Sequence, residues 1–335
     1  MQPAIISVVD ASQVFEARRA GLKLAESLNW DETLTGKLSI ILTETGTNLA
    51  KHAKLGQIHL RIFDRGGQMG IEVLAIDRGP GVKHIDNCLK DGYSTAGSPG
   101  TGLGAITRLA DEFDIFSQEG RGTCMVARLL PGSSKDASQP RGRGLLLGAV
   151  QVPVQGETEC GDNWGVRSNG RYGVILLADG LGHGPGAAEA SREAVATLAR
   201  ARELAPVTLL ENVHAGLRST RGAAVAIAHI DTASGQVRFS GAGNVSAILV
   251  NAANTQHMIS HNGTVGHNIR KFQEFVYPWG EKTVLVMHSD GITTSWRLDE
   301  YPGLINRDPS LIAAVLYRDA SRGRDDVCVV VGRER

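Results

Sequence analysis

The stretch Glu44-Thr45-Gly46-Thr47-Asn48-Leu49-Ala50-Lys51-His52 lies inside a helical pattern that extends from about residue 33 to residue 54. Helical spacing places Glu44, Asn48 and either Lys51 or His52 on one face of this helix. That face offers a carboxylate, an amide and a cation in one row. Such a row is also typical of an ordinary solvated helix face, so its interpretation depends on the segments that follow.

Two glycine-rich segments follow this helix. A strand-like run over residues 71–76 leads into Asp77-Arg78-Gly79-Pro80-Gly81, and Gly100-Thr101-Gly102-Leu103-Gly104 opens a helix predicted over 104–113. Glycine lets backbone amides approach a polyphosphate, and a helix start favours anionic oxygens. The second segment is not a P-loop, because no Gly-Lys-Ser/Thr follows, and no βαβ unit makes it a dinucleotide fingerprint.

Taken in order, these three boxes resemble the GHKL ATPase fold of gyrase, heat-shock chaperones, histidine kinases and anti-sigma-factor serine kinases. The segment from Asp91 to Thr95 and the run Arg108 to Phe113 look most like the small RsbT-type switch kinases of bacterial stress signalling. The resemblance covers residues 4–130. A histidine kinase itself is not favoured, because no long helical segment with a phospho-accepting histidine precedes the boxes.

The resemblance implies an ATP site with Mg²⁺. In it, Glu44 is the general base on the attacking hydroxyl, Asn48 ligates the Mg²⁺, and Asp77 accepts the adenine amino group. Phosphoryl transfer needs mainly positioning and charge neutralisation, which these groups would supply. The other implied nucleotide contacts are Lys51 at the phosphates, Gly79 and Gly81 at the adenine pocket, Gly100, Gly102 and Gly104 around the phosphates, and Thr123 beside the adenine.

Acidic residues recur beside apolar strands in the second half of the chain. They are Asp162, Asp179 followed by Gly180, Asp290 followed by Gly291, and the pair Asp325-Asp326. A single Asp-Gly after a strand is a common turn. Four acids at adjoining strand ends of a β-sandwich can instead converge on a pair of hard divalent cations, which neutralise phosphate oxygens and acidify a bound water.

The order of these motifs resembles the SpoIIE branch of the metal-dependent PPM-type Ser/Thr phosphatases, with the compact size of RsbX-like members, over residues 144–331. The resemblance implies two Mn²⁺ or Mg²⁺ ions and makes Asp179 and Asp290 catalytic. Asp179 would bridge the ions and the Gly180 carbonyl would bind one of them. Asp290 and Asp325 would hold the other, with Asp162 contributing directly or through water and Asp326 ranked behind Asp325.

The sequence departs from that family in two places. Many eukaryotic relatives carry a histidine two residues after the bridging aspartate, whereas this chain has Leu181 there and His183 two residues further on. His183 is therefore the candidate general acid. The phosphate-binding arginine stays open between Arg167 and Arg171. Because no HCx5R loop is present, the cysteines beside the metal motifs, Cys160 and Cys328, are expected to be buried small hydrophobes.

Composition agrees with two folded domains. The chain has 335 residues, more than one core usually serves, and its 35 basic and 35 acidic residues leave no field that would favour nucleic acid. Four scattered cysteines, no signal peptide and no long apolar run predict a cytoplasmic protein without membrane segments. The polar, turn-rich segment 132–143 is the predicted linker between a domain 1–131 and a domain 144–335.

The predicted class is α+β, with a GHKL-type α/β sandwich followed by a PPM-type β-sandwich flanked by helices. Helices are predicted over about 12–28, 33–54, 104–113, 187–203 and 309–317. The favoured function is a switch that phosphorylates and dephosphorylates Ser/Thr on a regulatory protein, by resemblance a STAS-domain antagonist or stressosome protein. The alternatives are a nucleotide-dependent clamp that sequesters a partner and an ATP sensor for the phosphatase; oligomeric state is left open.

Overall fold

The structure, a computed structural model, describes residues 3–83, 102–132, 144–169, 172–251 and 253–335. The chain divides into two compact units, Met1–Pro140 and Arg141–Arg335. All of the predicted linker except residue 132 lies outside the described ranges. No helix in those ranges is both long and apolar enough to cross a bilayer.

The first unit is a layer of helices on one antiparallel sheet. The strand order is β1-β2-β3-β5-β4, and every neighbouring pair is antiparallel. Apolar side chains of the helices and of one sheet face form a single core. The elements are β1 Ala4–Val8, α1 Ala11–Ser27, α2 Glu32–His52, β2 Gly56–Arg65, β3 Gln68–Ile76, α3 Gly102–Leu109, β4 Glu112–Gln118 and β5 Gly122–Leu129.

Local chemistry starts both long helices at defined residues. The Asp10 side chain accepts a hydrogen bond from the Ser12 amide at 2.7 Å, and Gln13 reaches back to the Asp10 amide at 2.8 Å, which completes a capping box. The Asp31 side chain caps α2. The two helices pack closely at Gly21, where a Cβ would lie 2.3 Å from Leu42 Cδ1. These contacts fix α2, the helix that carries Glu44 and Asn48.

A row of opposed charges crosses the sheet. In register, Arg61 on β2 faces Glu72 on β3, Glu72 faces Arg128 on β5, and Arg128 faces Glu112 on β4. Arg61 Nε donates to Glu72 Oε1 at 2.6 Å and Arg128 Nε to Glu72 Oε2 at 2.7 Å. Glu72 is 1% exposed and Arg128 4% exposed. Because each buried charge has a partner, removing one would leave the others uncompensated.

The second unit is a β-sandwich covered by helices on both sides. Its sheets have the orders β15-β10-β9-β8-β7 and β12-β11-β16-β17-β6, and one apolar core lies between them. Helices α4 and α5 pack on the outer face of β8 and β9, and α6 packs on β6 and β17. The helices are α4 Pro185–Arg200, α5 Pro206–Gly216 and α6 Pro309–Ala320.

The strands of this unit form the two sheets and one additional short hairpin, β13-β14. They are β6 Leu145–Val152, β7 Asp162–Ser168, β8 Tyr172–Gly180, β9 Ala223–Asp231, β10 Gln236–Ala242, β11 Ser246–Val250, β12 Thr255–His257, β13 Gly263–Thr264, β14 Asn268–Ile269, β15 Phe275–Pro278, β16 Val284–His288 and β17 Val327–Glu334. The mixed class and the two predicted architectures are confirmed.

Several element predictions were incomplete. The helix predicted over 104–113 ends at Leu109, because the chain then enters β4, where Glu112 pairs with Arg128 across the sheet. The elements β1, β4, β7 and α5 and the short strands β12, β13, β14 and β15 were also not predicted from the sequence. Helix α5 begins with Pro206, which suits the first turn of a helix.

Candidate active sites

Three of the predicted nucleotide residues meet where α3 begins beside α2. Glu44 and Asn48 are half-buried on α2. A Cβ built on Gly102 would lie 2.8 Å from Glu44 Oε2 and 3.7 Å from both Asn48 side-chain termini, Oδ1 and Nδ2. A larger residue at this position would therefore displace the Glu44 carboxylate from its present place. The helix face predicted from the spacing lines the start of the glycine-rich helix.

The other predicted residues of these two boxes differ in their exposure to solvent. Lys51 is exposed in the last turn of α2, whereas Gly104 is buried within α3. Gly100 lies outside the described residues. The structure therefore places the predicted base and metal ligand beside Gly102 and leaves Lys51 on the surface.

Asp77 lies where β3 ends beside β5. Its Oδ1 accepts a hydrogen bond from the Gly79 amide at 2.6 Å and another from the Thr123 amide at 3.3 Å, while the Asp77 amide donates to the Thr123 carbonyl at 2.9 Å. Gly81 has a φ of +69°, and a Cβ there would lie 2.1 Å from the Gln118 carbonyl oxygen. This turn therefore brings together Asp77, Gly79 and Thr123, three residues of the predicted adenine pocket.

Ser117 is a residue of this pocket that the sequence reasoning missed. Its hydroxyl lies 2.9 Å from Thr123 Oγ1 and accepts a hydrogen bond from the Val82 amide at 2.7 Å. It thereby ties the segment after Gly81 to β4. Because β4 was not predicted, no pattern placed Ser117 beside the Asp77 box.

In the second unit, Asp162 and Asp179 face each other across neighbouring strands. They are paired in register at the start of β7 and near the end of β8. Asp162 is 2% exposed. Asp162 Oδ2 and Asp179 Oδ2 are both buried and have no hydrogen-bond partner within the described ranges. Two buried carboxylate oxygens without partners, on facing residues, are an arrangement that needs a cation.

The other two predicted ligands add their charges to this pair. Asp290 follows β16, and Asn244 Nδ2 donates to its Oδ2 at 2.6 Å. Burial, followed by the charges of Asp290 and Asp325, raises the pKa of Asp179 to about 7. Burial and the Asp179 charge likewise raise the pKa of Asp162 well above its usual range. The four carboxylates therefore repel one another.

The oxygen ligands that these residues offer suit divalent cations, but their side chains are not arranged as a metal site in this structure. Among the described residues, no group of three or more His, Cys, Asp or Glu side chains is arranged as a metal-binding cluster. The unpartnered oxygens and the mutual repulsion are nevertheless what a hard cation would relieve, and oxygen is the ligand that Mg²⁺ and Mn²⁺ prefer. The donor set therefore fits such ions.

Comparison with known proteins assigns each unit to a family. Residues 8–129 match the histidine kinase-like ATPase domain, and residues 168–334 match stage II sporulation protein E, SpoIIE. The first is supported by the serine/threonine-protein kinase RsbT of Bacillus subtilis (strain 168), which is 30% identical over 118 residues, covering 35% of this chain and 89% of RsbT. The chain joins a histidine kinase-like ATPase domain to a SpoIIE domain.

Further relatives resemble the SpoIIE part or the chain's fold. The phosphoserine phosphatase RsbX of the same organism is 22% identical over 143 residues, covering 42% of this chain and 72% of RsbX. A crystal structure of RsbX in complex with magnesium superposes with a TM-score of 0.52 at 18% identity, covering 59% of this chain and 98% of RsbX, and shows a shared fold. A structure from the bacterial stressosome has a TM-score of 0.53 at 27% identity, covering 56% of this chain and 99% of that one.

In the SpoIIE domain, Asp326 is held by the backbone. Its Oδ1 accepts a hydrogen bond from the Val154 amide at 2.7 Å and its Oδ2 another from the Gly161 amide at 2.9 Å. Asp325 is half-buried, and its Oδ1 accepts a hydrogen bond from the Asp326 amide at 2.9 Å. Asp326 thus fixes the strand ends, which agrees with ranking Asp325 first as a ligand.

The turn after Asp179 brings a histidine beside a carboxylate. Gly180 has no space for a side chain, because a Cβ would lie 2.1 Å from the Ala187 carbonyl oxygen. His183 Nδ1 lies 2.7 Å from Glu157 Oε1, and His183 is otherwise exposed. A carboxylate on Nδ1 fixes the proton there and leaves Nε2 to face solvent or substrate. Glu157 is a partner that the sequence reasoning missed.

The remaining candidates in the SpoIIE domain are two arginines and two cysteines. Arg167 donates through Nη1 to the Ala201 carbonyl and lies five residues along β7 from Asp162, about 16 Å at the usual strand rise. Arg171 lies outside the described residues. Cys160 and Cys328 are buried, as predicted, and burial raises the pKa of both thiols, which makes them poor nucleophiles.

Proposed function

We propose that this protein is a cytoplasmic signalling switch that phosphorylates Ser/Thr on a regulatory protein with its first domain and removes the phosphate with its second. The observation that carries the proposal is the facing pair Asp162 and Asp179, whose buried oxygens lack partners in the described ranges. The similarity to RsbT and RsbX supports opposed activities on one pathway. The proposed substrate is a STAS-domain antagonist or a stressosome protein.

In the first domain, Glu44 accepts the proton of the attacking hydroxyl. Its carboxylate lies at the start of α3, where the glycine backbone would contact the phosphates. Asn48 holds Mg²⁺ beside it, and Asp77 accepts the adenine amino group beside Thr123. Lys51, exposed at the end of α2, is the proposed side-chain contact to the phosphates. Gly79, Gly81, Gly100 and Gly104 complete the pocket.

In the second domain, four carboxylates and one carbonyl hold the cations. Asp179, the Gly180 carbonyl, Asp290 and Asp325 would together hold two Mn²⁺ or Mg²⁺ ions, with a contribution from Asp162. Such cations supply charge neutralisation at the phosphate and a nucleophile at neutral pH. His183, held at Nδ1 by Glu157, donates a proton to the departing Ser/Thr oxygen.

The phosphatase half is tested by hydrolysis of p-nitrophenyl phosphate by the full chain with Mg²⁺ or Mn²⁺ and with EDTA. We expect turnover that requires the metal and resists thiol reagents, and loss of turnover in Asp290→Ala. Asp299→Ala, which removes an exposed carboxylate paired with Arg297, is the matched control and should keep wild-type turnover. Full activity of Asp290→Ala in EDTA would contradict the proposal.

The kinase half is tested with ATP and a candidate STAS partner on a phosphate-affinity gel. Glu44→Ala should leave the partner unphosphorylated and Asp290→Ala should leave it phosphorylated, while the exposed control Glu26→Ala should behave as wild type. ATP binding without transfer by the wild type would favour the clamp instead. Phosphatase turnover that rises with ATP in the absence of transfer would favour the ATP sensor.

A further inference from the structure

An arginine that the sequence reasoning did not consider rests on the glycine-rich turn after Asp179. A Cβ built on Gly186 would lie 2.6 Å from Arg221 Nε and 2.8 Å from its Cζ, and a Cβ built on Gly182 would lie 3.4 Å from its Nη1. The Leu181 amide donates to the Gly222 carbonyl at 3.0 Å, which joins the two segments. Because Gly182 and Gly186 have no side chains, the Arg221 side chain can lie directly against this turn.

The turn on which Arg221 lies is next to Asp162, one of the proposed metal ligands. A Cβ built on Gly161 would lie 3.4 Å from the Gly182 carbonyl oxygen, and Gly161 directly precedes Asp162. On the other strand, Gly180 pairs in register with Ala223, two residues after Arg221. The guanidinium thus lies on the turn that connects the proposed metal ligands to α4.

The Arg221 guanidinium is exposed to solvent. Within the described residues it makes no hydrogen bond or ion pair. The other arginines near this turn are occupied, since Arg192 pairs with Glu159 and Arg167 binds the Ala201 carbonyl. Arg322 is also exposed, and its charge lowers the pKa of Asp290 against the larger effect of burial. None of its atoms is among those nearest to a Cβ built on Gly182, Gly184 or Gly186.

We propose that Arg221 binds the phosphate group of the phosphorylated protein on which the SpoIIE domain acts. This inference rests on the proposed phosphatase function. A dianionic phosphate that approaches several carboxylates needs a cation besides the metals, and a guanidinium offers two parallel N–H donors to two phosphate oxygens. Arg221 therefore fills the role for which Arg167 and Arg171 were the sequence candidates.

The test compares Arg221→Gln and Arg221→Lys with the control Arg218→Gln in the full chain with Mg²⁺. Arg218 is exposed on the same segment, and none of its atoms is among those nearest to a Cβ built on Gly182, Gly184 or Gly186. We expect Arg221→Gln to raise both the KM for p-nitrophenyl phosphate and the inhibition constant of inorganic phosphate about tenfold or more, because a charge-assisted hydrogen bond is lost. Arg221→Lys should recover part of the affinity, and Arg218→Gln should match the wild type.

Gly186→Ala is a variant that keeps Arg221 but fills the space in which its guanidinium now lies. Alanine suits the first turn of a helix better than glycine, so the melting temperature should not fall, yet the phosphate inhibition constant should rise as the guanidinium is displaced. A structural role of Arg221 would instead lower the melting temperature and leave phosphate inhibition unchanged.

Three outcomes separate this inference from the proposed function. If Arg221→Gln matches Arg218→Gln, or if Arg322→Gln alone weakens phosphate inhibition, the assignment of Arg221 is overturned and the phosphatase proposal stands. If the wild type hydrolyses no phosphomonoester with metal, the phosphatase proposal fails. In that case a phosphate-induced rise in melting temperature that Arg221→Gln lacks supports the phosphate site, and no such rise overturns it.

Discussion

Replacing Asp179 by Asn should stabilise the metal-free SpoIIE domain while abolishing its response to metal. Burial first, and then the charges of Asp290 and Asp325, raise the pKa of Asp179 from 3.8 to about 7. A carboxyl group whose pKa is higher in the folded state favours folding when protonated. Its contribution is present below about pH 4 and is lost as the pH rises through about 7.

The size of this loss follows from the two pKa values. The difference between 3.8 and about 7, at about 1.4 kcal/mol for each pH unit, corresponds to about 4 kcal/mol at pH 8. Asparagine is nearly the same size and carries no charge, so Asp179→Asn should regain part of this energy. For a domain of this size each kcal/mol changes the melting temperature by roughly 2–4 °C.

The assay is thermal unfolding of the full chain in EDTA at pH 5 and pH 8, followed by addition of Mg²⁺. The wild type should melt lower at pH 8 than at pH 5 and should gain stability with Mg²⁺. Asp179→Asn should melt above the wild type at pH 8 in EDTA and should gain nothing from Mg²⁺, whereas the exposed control Asp299→Asn should follow the wild type. Lower stability of Asp179→Asn in EDTA at pH 8, or an intact Mg²⁺ response, would refute the reasoning.

Three further changes probe the first domain. Asp77→Asn should reduce ATP affinity at least about tenfold in a fluorescent-nucleotide titration, because an amide N–H would face donors; unchanged affinity would exclude Asp77 as the adenine acceptor. Glu44→Ala should retain ATP affinity and lose phosphoryl transfer about 100-fold or more, measured with labelled ATP, and an unchanged rate would exclude it as the base. Glu72→Gln should lose about 3 kcal/mol in urea unfolding at pH 7, because Arg61 and Arg128 would lose their buried partner. Burial alone would raise the Glu72 pKa, but these arginines hold it at about 2. The difference in the free energy of unfolding between the wild type and Glu72→Gln should therefore disappear as the pH falls from about 4.5 to 2.

The sequence was most informative where chemistry and local spacing coincide. Glu44 and Asn48 lie one helical turn apart, so their common face follows from the period of the helix alone. The acids at strand ends could be recognised because each follows or precedes an apolar run. The pairing of Asp162 with Asp179 was not derivable in the same way, because β7 alternates poorly and was not recognised as a strand.

Contacts between distant segments set the features that the sequence did not reveal. Ser117 joins the Asp77 pocket through β4, which forms only because it pairs with β5. Glu157 reaches His183 from a loop 26 residues earlier in the chain, and Arg221 reaches Gly186 from the segment before β9. Helical or strand periodicity carries no information about such contacts, since they depend on how the layers stack.

The row of opposed charges in the first domain also fixes the register of the strands that carry the proposed nucleotide pocket. Glu72 and Arg128 are each five residues from the pocket residues of their own strands, Asp77 and Thr123. A slip of β5 by two residues would keep every side chain on its face, yet it would displace Thr123 from Asp77 by about 7 Å. It would also leave the Glu72 carboxylate without its facing guanidinium. Charges buried about 16 Å away along the strands therefore disfavour this two-residue slip, which hydrophobic patterning alone would tolerate.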